Sequence, residues 1–197
     1  MVNNIQFQKY IENSLPKKYV IFGVELRSLS IGHLILMNKH CKMASEVETD
    51  ITIWDLFIAV AICCRKYKEF IDWFDNIKER DQWLKKWFKY VNKQAKRKDF
   101  DLMAKFSLFN AYRSESIQIP MFFVEEEQNE TNKSGSHWIQ NVISTLVTQG
   151  RFTNEEIYDV PIGLALNEYF KILENNGIIT FMQDWEIQAS QATENTK

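Results

Sequence analysis

Apolar residues recur along most of this chain at the three- and four-residue spacing of helices, interrupted by one alternating stretch and one polar gap. Near the start, Ile5, Phe7, Tyr10 and Ile11 predict a short helix over residues 4–13, ending before Pro16. Residues 19–27 change period. Val20, Phe22, Val24 and Leu26 fall on one side of an extended chain, so a strand or extended lead-in is expected there.

Helical spacing then resumes. Ser30 is placed to cap a helix reaching about Cys41, with Ile31, Leu34, Ile35, Leu36 and Met37 as its apolar positions. Thr52 and Asp55 form a capping-box pair, Asp standing in for the usual Glu. The helix they open carries Trp54, Leu56, Phe57, Ile58, Ala59, Val60, Ala61 and Ile62; apolar on all sides, it is expected at the centre of the core. Residues 65–98 turn basic and aromatic, and two amphipathic helices with a break near 76–78 fit them. A further helix is predicted over 99–112 with Leu102, Met103, Phe106 and Phe109 inward, then extended chain around Pro120.

The polar gap is residues 125–136, EEEQNETNKSGS. Beyond it Ser136 is placed to cap a helix that begins at Trp138 and ends at Gly150, and Thr153 with Glu156 makes another capping box. Pro161 is expected as the first residue of a helix that Gly177 closes. The whole predicts a mainly α protein: a compact helical domain of about seven or eight helices with a minor extended or β segment near the N-terminus. Its expected organisation is a core over 1–124, with the basic aromatic helices at 65–98, then a flexible acidic and polar loop over 125–136. A C-terminal helical segment over 137–185 packs on the core, and a polar tail follows over 186–197.

Composition sharpens this picture. Only 6 Gly and 3 Pro in 197 residues suit long helices better than a turn-rich β fold. A net charge of -2 argues against a dedicated nucleic-acid binder, which must neutralise many phosphates. The three cysteines are odd in number and include the adjacent pair Cys63 and Cys64, pointing to a reducing compartment. The first residues lack the basic start and apolar run of a secretory signal, and no stretch approaches the about 20 apolar residues of a membrane span, so a cytoplasmic protein with no membrane partner is expected.

Candidate chemistry is sparse. His33, His40 and His137 have no ligand partners at zinc spacing, so no metal and no cofactor is expected. No phosphate-binding Gly loop, nucleophile elbow or HExxH pattern occurs, and the carboxylates of 125–127 lie in the predicted loop, so no catalytic residue and no enzymatic activity is expected. The distinctive segment is 83–98, where Lys85, Lys86, Lys89, Lys93, Lys96, Arg97 and Lys98 accumulate while Trp83, Trp87, Tyr90 and Val91 recur at helical spacing. An ordinary surface helix, lysines solvated and tryptophans in the core, is the reading the sequence favours. The functional alternative is a surface for phosphates or an acidic partner helix, with Trp83, Trp87, Tyr90, Lys85, Lys89 and Lys93 as candidate partner-binding residues.

Three pieces of the chain resemble phage tail assembly chaperone-type proteins, helical proteins encoded beside the tail tape-measure gene. Residues 26–37, LRSLSIGHLILM, are similar to an L-R-P-L-S-L-G-H-L-L-L-L opening in some of them. Residues 55–65, DLFIAVAICCR, resemble their apolar helix ending in Cys and a basic residue. Residues 138–177 share a Trp, a Pro-x-x-x-Ala-Leu start at Pro161 to Leu166, and a helix ending in the run ENNG. The chain departs from the pattern at Ser28, where Pro is usual, and in the basic aromatic stretch 65–98.

The resemblance implies a non-enzymatic chaperone, made in the host bacterial cytoplasm, that coats the tape-measure protein until tail subunits polymerise around it. Its expected partners are the tape-measure protein or another phage assembly protein, with self-association as a further expectation. The alternative is a structural or nucleic-acid-associated phage protein using the basic helix.

Overall fold

The apolar helix opened by Thr52 sits at the centre of the molecule. The Thr52 backbone N–H donates to the Asp55 carboxylate at 2.8 Å, and the Asp55 N–H donates back to the Thr52 hydroxyl at 3.4 Å. The Thr52 hydroxyl donates to the same carboxylate at 2.6 Å, and a third bond to it, from the Lys42 N–H at 2.9 Å, ties the helix start to the preceding turn. Burial works to raise the Asp55 pKa, but these hydrogen bonds together outweigh it and hold the carboxyl below its ordinary value.

The computed structural model describes residues 18–44, 51–94, 96, 101–117, 119, 122–124, 138–182 and 186. The elements in chain order are β1 (Val20–Ile21), β2 (Val24–Glu25), α1 (Ile31–His40), α2 (Ile53–Cys63), α3 (Tyr67–Asp75), α4 (Ile77–Gln94), α5 (Leu102–Ser116), β3 (Phe122–Val124), α6 (Trp138–Thr148), α7 (Ile162–Asn175) and β4 (Ile179–Phe181). Short 3-10 turns cover Lys42–Ala44 and Glu156–Tyr158. The chain is therefore mainly α, with seven helices among the described residues and a small two-stranded sheet near the N-terminus. The helix expected at 4–13, the loop 125–136, the Ser136 cap and the tail beyond Glu186 lie outside the described residues.

Residues 19–27 form a tight hairpin where the alternation predicts one extended stretch. Val20 pairs with Glu25 and Ile21 with Val24, leaving Phe22 and Gly23 as a two-residue turn. Both turn residues have positive φ, 53° and 76°, as a hairpin turn matched to strand twist requires. Such a φ costs a non-glycine residue about 1–3 kcal/mol. Phe22 is held there by its buried ring, whose centroid lies 5.1 Å from that of Phe57 and 5.6 Å from that of Trp87.

α1 begins as expected at Ser30, but the capping partner is unusual. The Ser30 hydroxyl accepts from the His33 N–H, and His33 Nδ1 accepts from the Ser30 N–H, each at 3.2 Å. An imidazole thus takes the place of the Glu or Gln of a capping box. α1 packs on α2, whose Leu56, Phe57, Ala59, Val60, Ala61, Ile62 and Cys63 are all buried. Trp54, in the first turn of α2, departs from the all-round burial expected of this helix and is 46% exposed.

The C-terminal helices attach to the same core. The Ile162 N–H donates to the Leu29 carbonyl at 2.7 Å, and Ser30 and Pro161 form an isolated antiparallel bridge. Pro161 is the N-cap of α7 instead of its first helical residue: its carbonyl accepts the first helical bond, from Ala165, at 3.0 Å. Gly150 and Gly177 close α6 and α7 at φ 67° and 66°, each with the paired bonds of a Schellman motif. Gly32 of α1 lies against the Tyr158 carbonyl and the Tyr67 ring, and Tyr67 and Tyr158 stack with centroids 4.6 Å apart. β3 pairs with β4, so residues 122–124 and 179–181 join into a second small sheet.

α3 and α4 are separated at Asn76, within the expected break. Asn76 Oδ1 accepts from the Glu79 N–H at 3.2 Å, starting α4, while Arg80 donates to the Phe74 carbonyl across the junction at 3.2 Å. In α5 Phe109 is buried and Leu102 and Phe106 are partly so, as expected, but Met103 points outward at 69% exposure. It lies a full helical step of about 100° from Leu102, off the inward stripe.

Candidate functional site

α4 has three longitudinal stripes. Trp83, Trp87 and Val91, four residues apart, form the inner one. Trp87 lies 5.6 Å from Phe57 and from Phe22 and 3.7 Å from Trp83, centroid to centroid, so its ring completes the core. Trp83 meets Trp73 edge to face at 5.0 Å. The Arg65 guanidinium lies over both indoles, 4.2 Å from Trp73 and 4.8 Å from Trp83, and donates to the Ala61 carbonyl at 2.9 Å near the end of α2.

The second stripe is Leu84 and Phe88, on the shoulder of the helix. Phe88 is 44% exposed and stacks on Trp54 of α2, with centroids 5.7 Å apart and planes 9° from parallel. The third stripe, Lys85, Lys89 and Lys93, is exposed, as are Lys86 and Tyr90.

Between α4 and the start of α2 runs an open groove of about 360 Å³ lined by Trp54, Asp81, Leu84, Lys85, Phe88 and Lys89. Trp54, Leu84 and Phe88 make its apolar floor and the two lysines one rim. Of the residues proposed from sequence, Lys85 and Lys89 come together here. Trp83 and Trp87 face inward, and Tyr90 and Lys93 are exposed but do not line the groove. Trp54 and Phe88 are the residues that sequence reasoning missed. The available signal was the Leu84 and Phe88 pair, a separate apolar stripe beside the tryptophans.

His33 is occupied otherwise. His33 uses Nδ1 on the Ser30 N–H and Nε2 on the Arg65 carbonyl at 2.7 Å, leaving neither ring nitrogen for a metal. That arrangement requires the neutral ring protonated at Nε2. Burial lowers its pKa, and the bond to the Arg65 carbonyl only partly opposes this. The His40 ring packs against Phe74 at 4.3 Å, and His137 lies outside the described residues. Cys63 is fully buried and burial pushes its thiol well up, which makes it a poor nucleophile. Among the described residues no helix is long and apolar enough to cross a membrane.

The arrangement is an open groove with an apolar floor and a rim that carries Lys85 and Lys89. No protein-family model, no curated protein and no solved structure matches the chain.

Proposed function

We propose that this chain is a non-enzymatic binding protein that covers an apolar stripe of a helical partner. The observation that carries the reading is the solvent-exposed stack of Trp54 on Phe88 over Leu84, a concave apolar surface at a helix shoulder. Exposed aromatic side chains in a groove are what a helix-in-groove site needs, because they offer large apolar area at little entropic cost.

The resemblance of residues 26–37, 55–65 and 138–177 to tail assembly chaperone-type proteins supplies the partner: a phage tape-measure protein, kept soluble in the bacterial cytoplasm during tail assembly. A tape-measure helix exposes apolar stripes that would otherwise aggregate. The test is capture of an immobilised tape-measure segment over a salt series by wild type and by Phe88→Ala. Retention that persists in high salt and is lost in the variant supports the reading, because apolar burial is not screened. Equal capture of both proteins defeats it.

A second reading has its own observation. Residues 82–98 contain no Asp or Glu, and Lys85, Lys86, Lys89 and Lys93 are all exposed, which suits a phosphate backbone. Replacing Lys85, Lys89 and Lys93 by Glu then abolishes binding to duplex DNA that wild type holds only at low salt. The apolar floor and the net charge of -2 favour the first reading.

A further inference from the structure

The groove on α4 carries a charge pattern as well as an apolar floor. α4 opens with charges of both signs, Lys78, Glu79, Arg80 and Asp81, and from residue 82 onward carries only lysines as charged residues. Asp81 lines one end of the groove, and Lys85 and Lys89, one helical turn apart, line its rim. From residue 81 to 89 a helix rises about 12 Å, so the groove is long enough for about two turns of a second helix.

Resting on the binding reading above, we infer that the occupant of this groove is an amphipathic helix of a partner protein bearing carboxylates along one flank of its apolar stripe. Apolar side chains a turn apart enter between Trp54, Leu84 and Phe88. Asp or Glu residues, likewise a turn apart, meet Lys85 and Lys89. Asp81 is already paired with Arg80, whose Nε lies 3.4 Å from its carboxylate, so this end of the groove is close to neutral and the charge requirement on the partner is set by Lys85 and Lys89. Charge pairs at a solvent-exposed rim add little affinity, but they select among helices that would all satisfy the same floor. A duplex phosphate backbone would meet the same lysines while leaving the floor unfilled.

Because the site spans only about two turns, one copy shields a short length of a long partner, and coverage of that partner takes many copies. The partner is accordingly expected to repeat the acidic-flanked motif along its length.

The experiment uses the full chain and two synthetic helical peptides of about 18 residues, about five turns, with the same apolar stripe. One is flanked by Glu and the other by Lys, and binding is read by fluorescence anisotropy, with unlabelled duplex DNA as competitor. The Glu-flanked peptide is expected to bind roughly tenfold tighter than its isomer, since two exposed rim pairs contribute a few-fold each. Lys85→Glu with Lys89→Glu should reverse the order, and Phe88→Ala should weaken both peptides while leaving the thermal melt close to wild type.

Equal binding of the two peptides, both lost in Phe88→Ala, would overturn the charge selection and leave the apolar-groove reading standing. Binding of both that survives Phe88→Ala would overturn the groove itself. Displacement of the Glu-flanked peptide by duplex DNA at equal site concentration would also overturn the inference, by showing that the rim is a phosphate site.

Discussion

The indole of Trp54 lies flat on the ring of Phe88, 9° from parallel, while Phe57, one turn further along α2, meets Trp54 edge to face from inside the core. The two phenylalanines therefore touch the same tryptophan from opposite environments. Phe57 is fully buried and Phe88 is 44% exposed.

Their alanine variants should differ accordingly. Phe57→Ala is expected to cost about 3–5 kcal/mol, because it removes a buried ring and leaves a cavity. Phe88→Ala should cost about 1 kcal/mol or less, since half of its surface is already hydrated. Urea titration followed by circular dichroism measures both. A Phe57 variant losing under about 1 kcal/mol would place α2 at the surface.

Gly32→Ala tests how closely α1 meets the Glu156–Tyr158 turn. Helix propensity alone favours Ala by about 1 kcal/mol. A Cβ at this position, however, would lie 2.5 Å from the Tyr158 carbonyl oxygen and 2.7 Å from the Tyr67 ring. Backbone does not yield cheaply, so the variant should be less stable than wild type by about 1–3 kcal/mol. A neutral or stabilised variant in the same titration would refute the close approach.

Much of the fold could be read from local chemistry. Ser30, Thr52, Gly150 and Gly177 bound helices where their side chains or missing Cβ atoms predict. What could not be read depends on residues remote in sequence. A positive-φ Phe22 contradicts local preference and is stable only because Phe57 and Trp87 enclose its ring. The pairing of 122–124 with 179–181 has no local signature. In α4 the period shows the Trp83 and Trp87 stripe and the Leu84 and Phe88 stripe equally well. The choice between them is made by Trp73, Arg65 and Phe57, which engage the tryptophans from other helices.

His33 gives the protein a pH-dependent component of stability. Its folded pKa is lowered, chiefly by burial, so the unfolded chain, with an ordinary His pKa of about 6.5, binds the proton more readily. The contribution is complete above about pH 6.5 and is lost as pH falls below that value toward the folded pKa. Glutamine at this position can accept from Ser30 and donate to the Arg65 carbonyl without titrating. Between pH 7 and pH 5 the unfolding free energy of wild type should therefore fall more than that of His33→Gln, by up to about 1.4 kcal/mol per pH unit. Parallel slopes for the two proteins would mean that His33 is protonated as easily folded as unfolded.

Arg65 should be irreplaceable by lysine, although both side chains put a positive charge at the end of α2. The guanidinium does three things at once: it covers the Trp73 indole at 4.2 Å, covers Trp83 at 4.8 Å and donates to the Ala61 carbonyl at 2.9 Å. A lysine retains the favourable interaction with the helix dipole but has no planar face to lie on an indole. If the stack is what counts, Arg65→Lys loses most of the stability that Arg65→Ala loses, about 1–2 kcal/mol, and does so equally at low and high salt, because the cation is sheltered by the rings. If the charge at the helix end is what counts, Arg65→Lys behaves as wild type and only Arg65→Ala is destabilised, with the difference shrinking as salt is added. Denaturation of the three proteins at two salt concentrations separates these outcomes, and the first is expected from the two indoles that the one side chain joins.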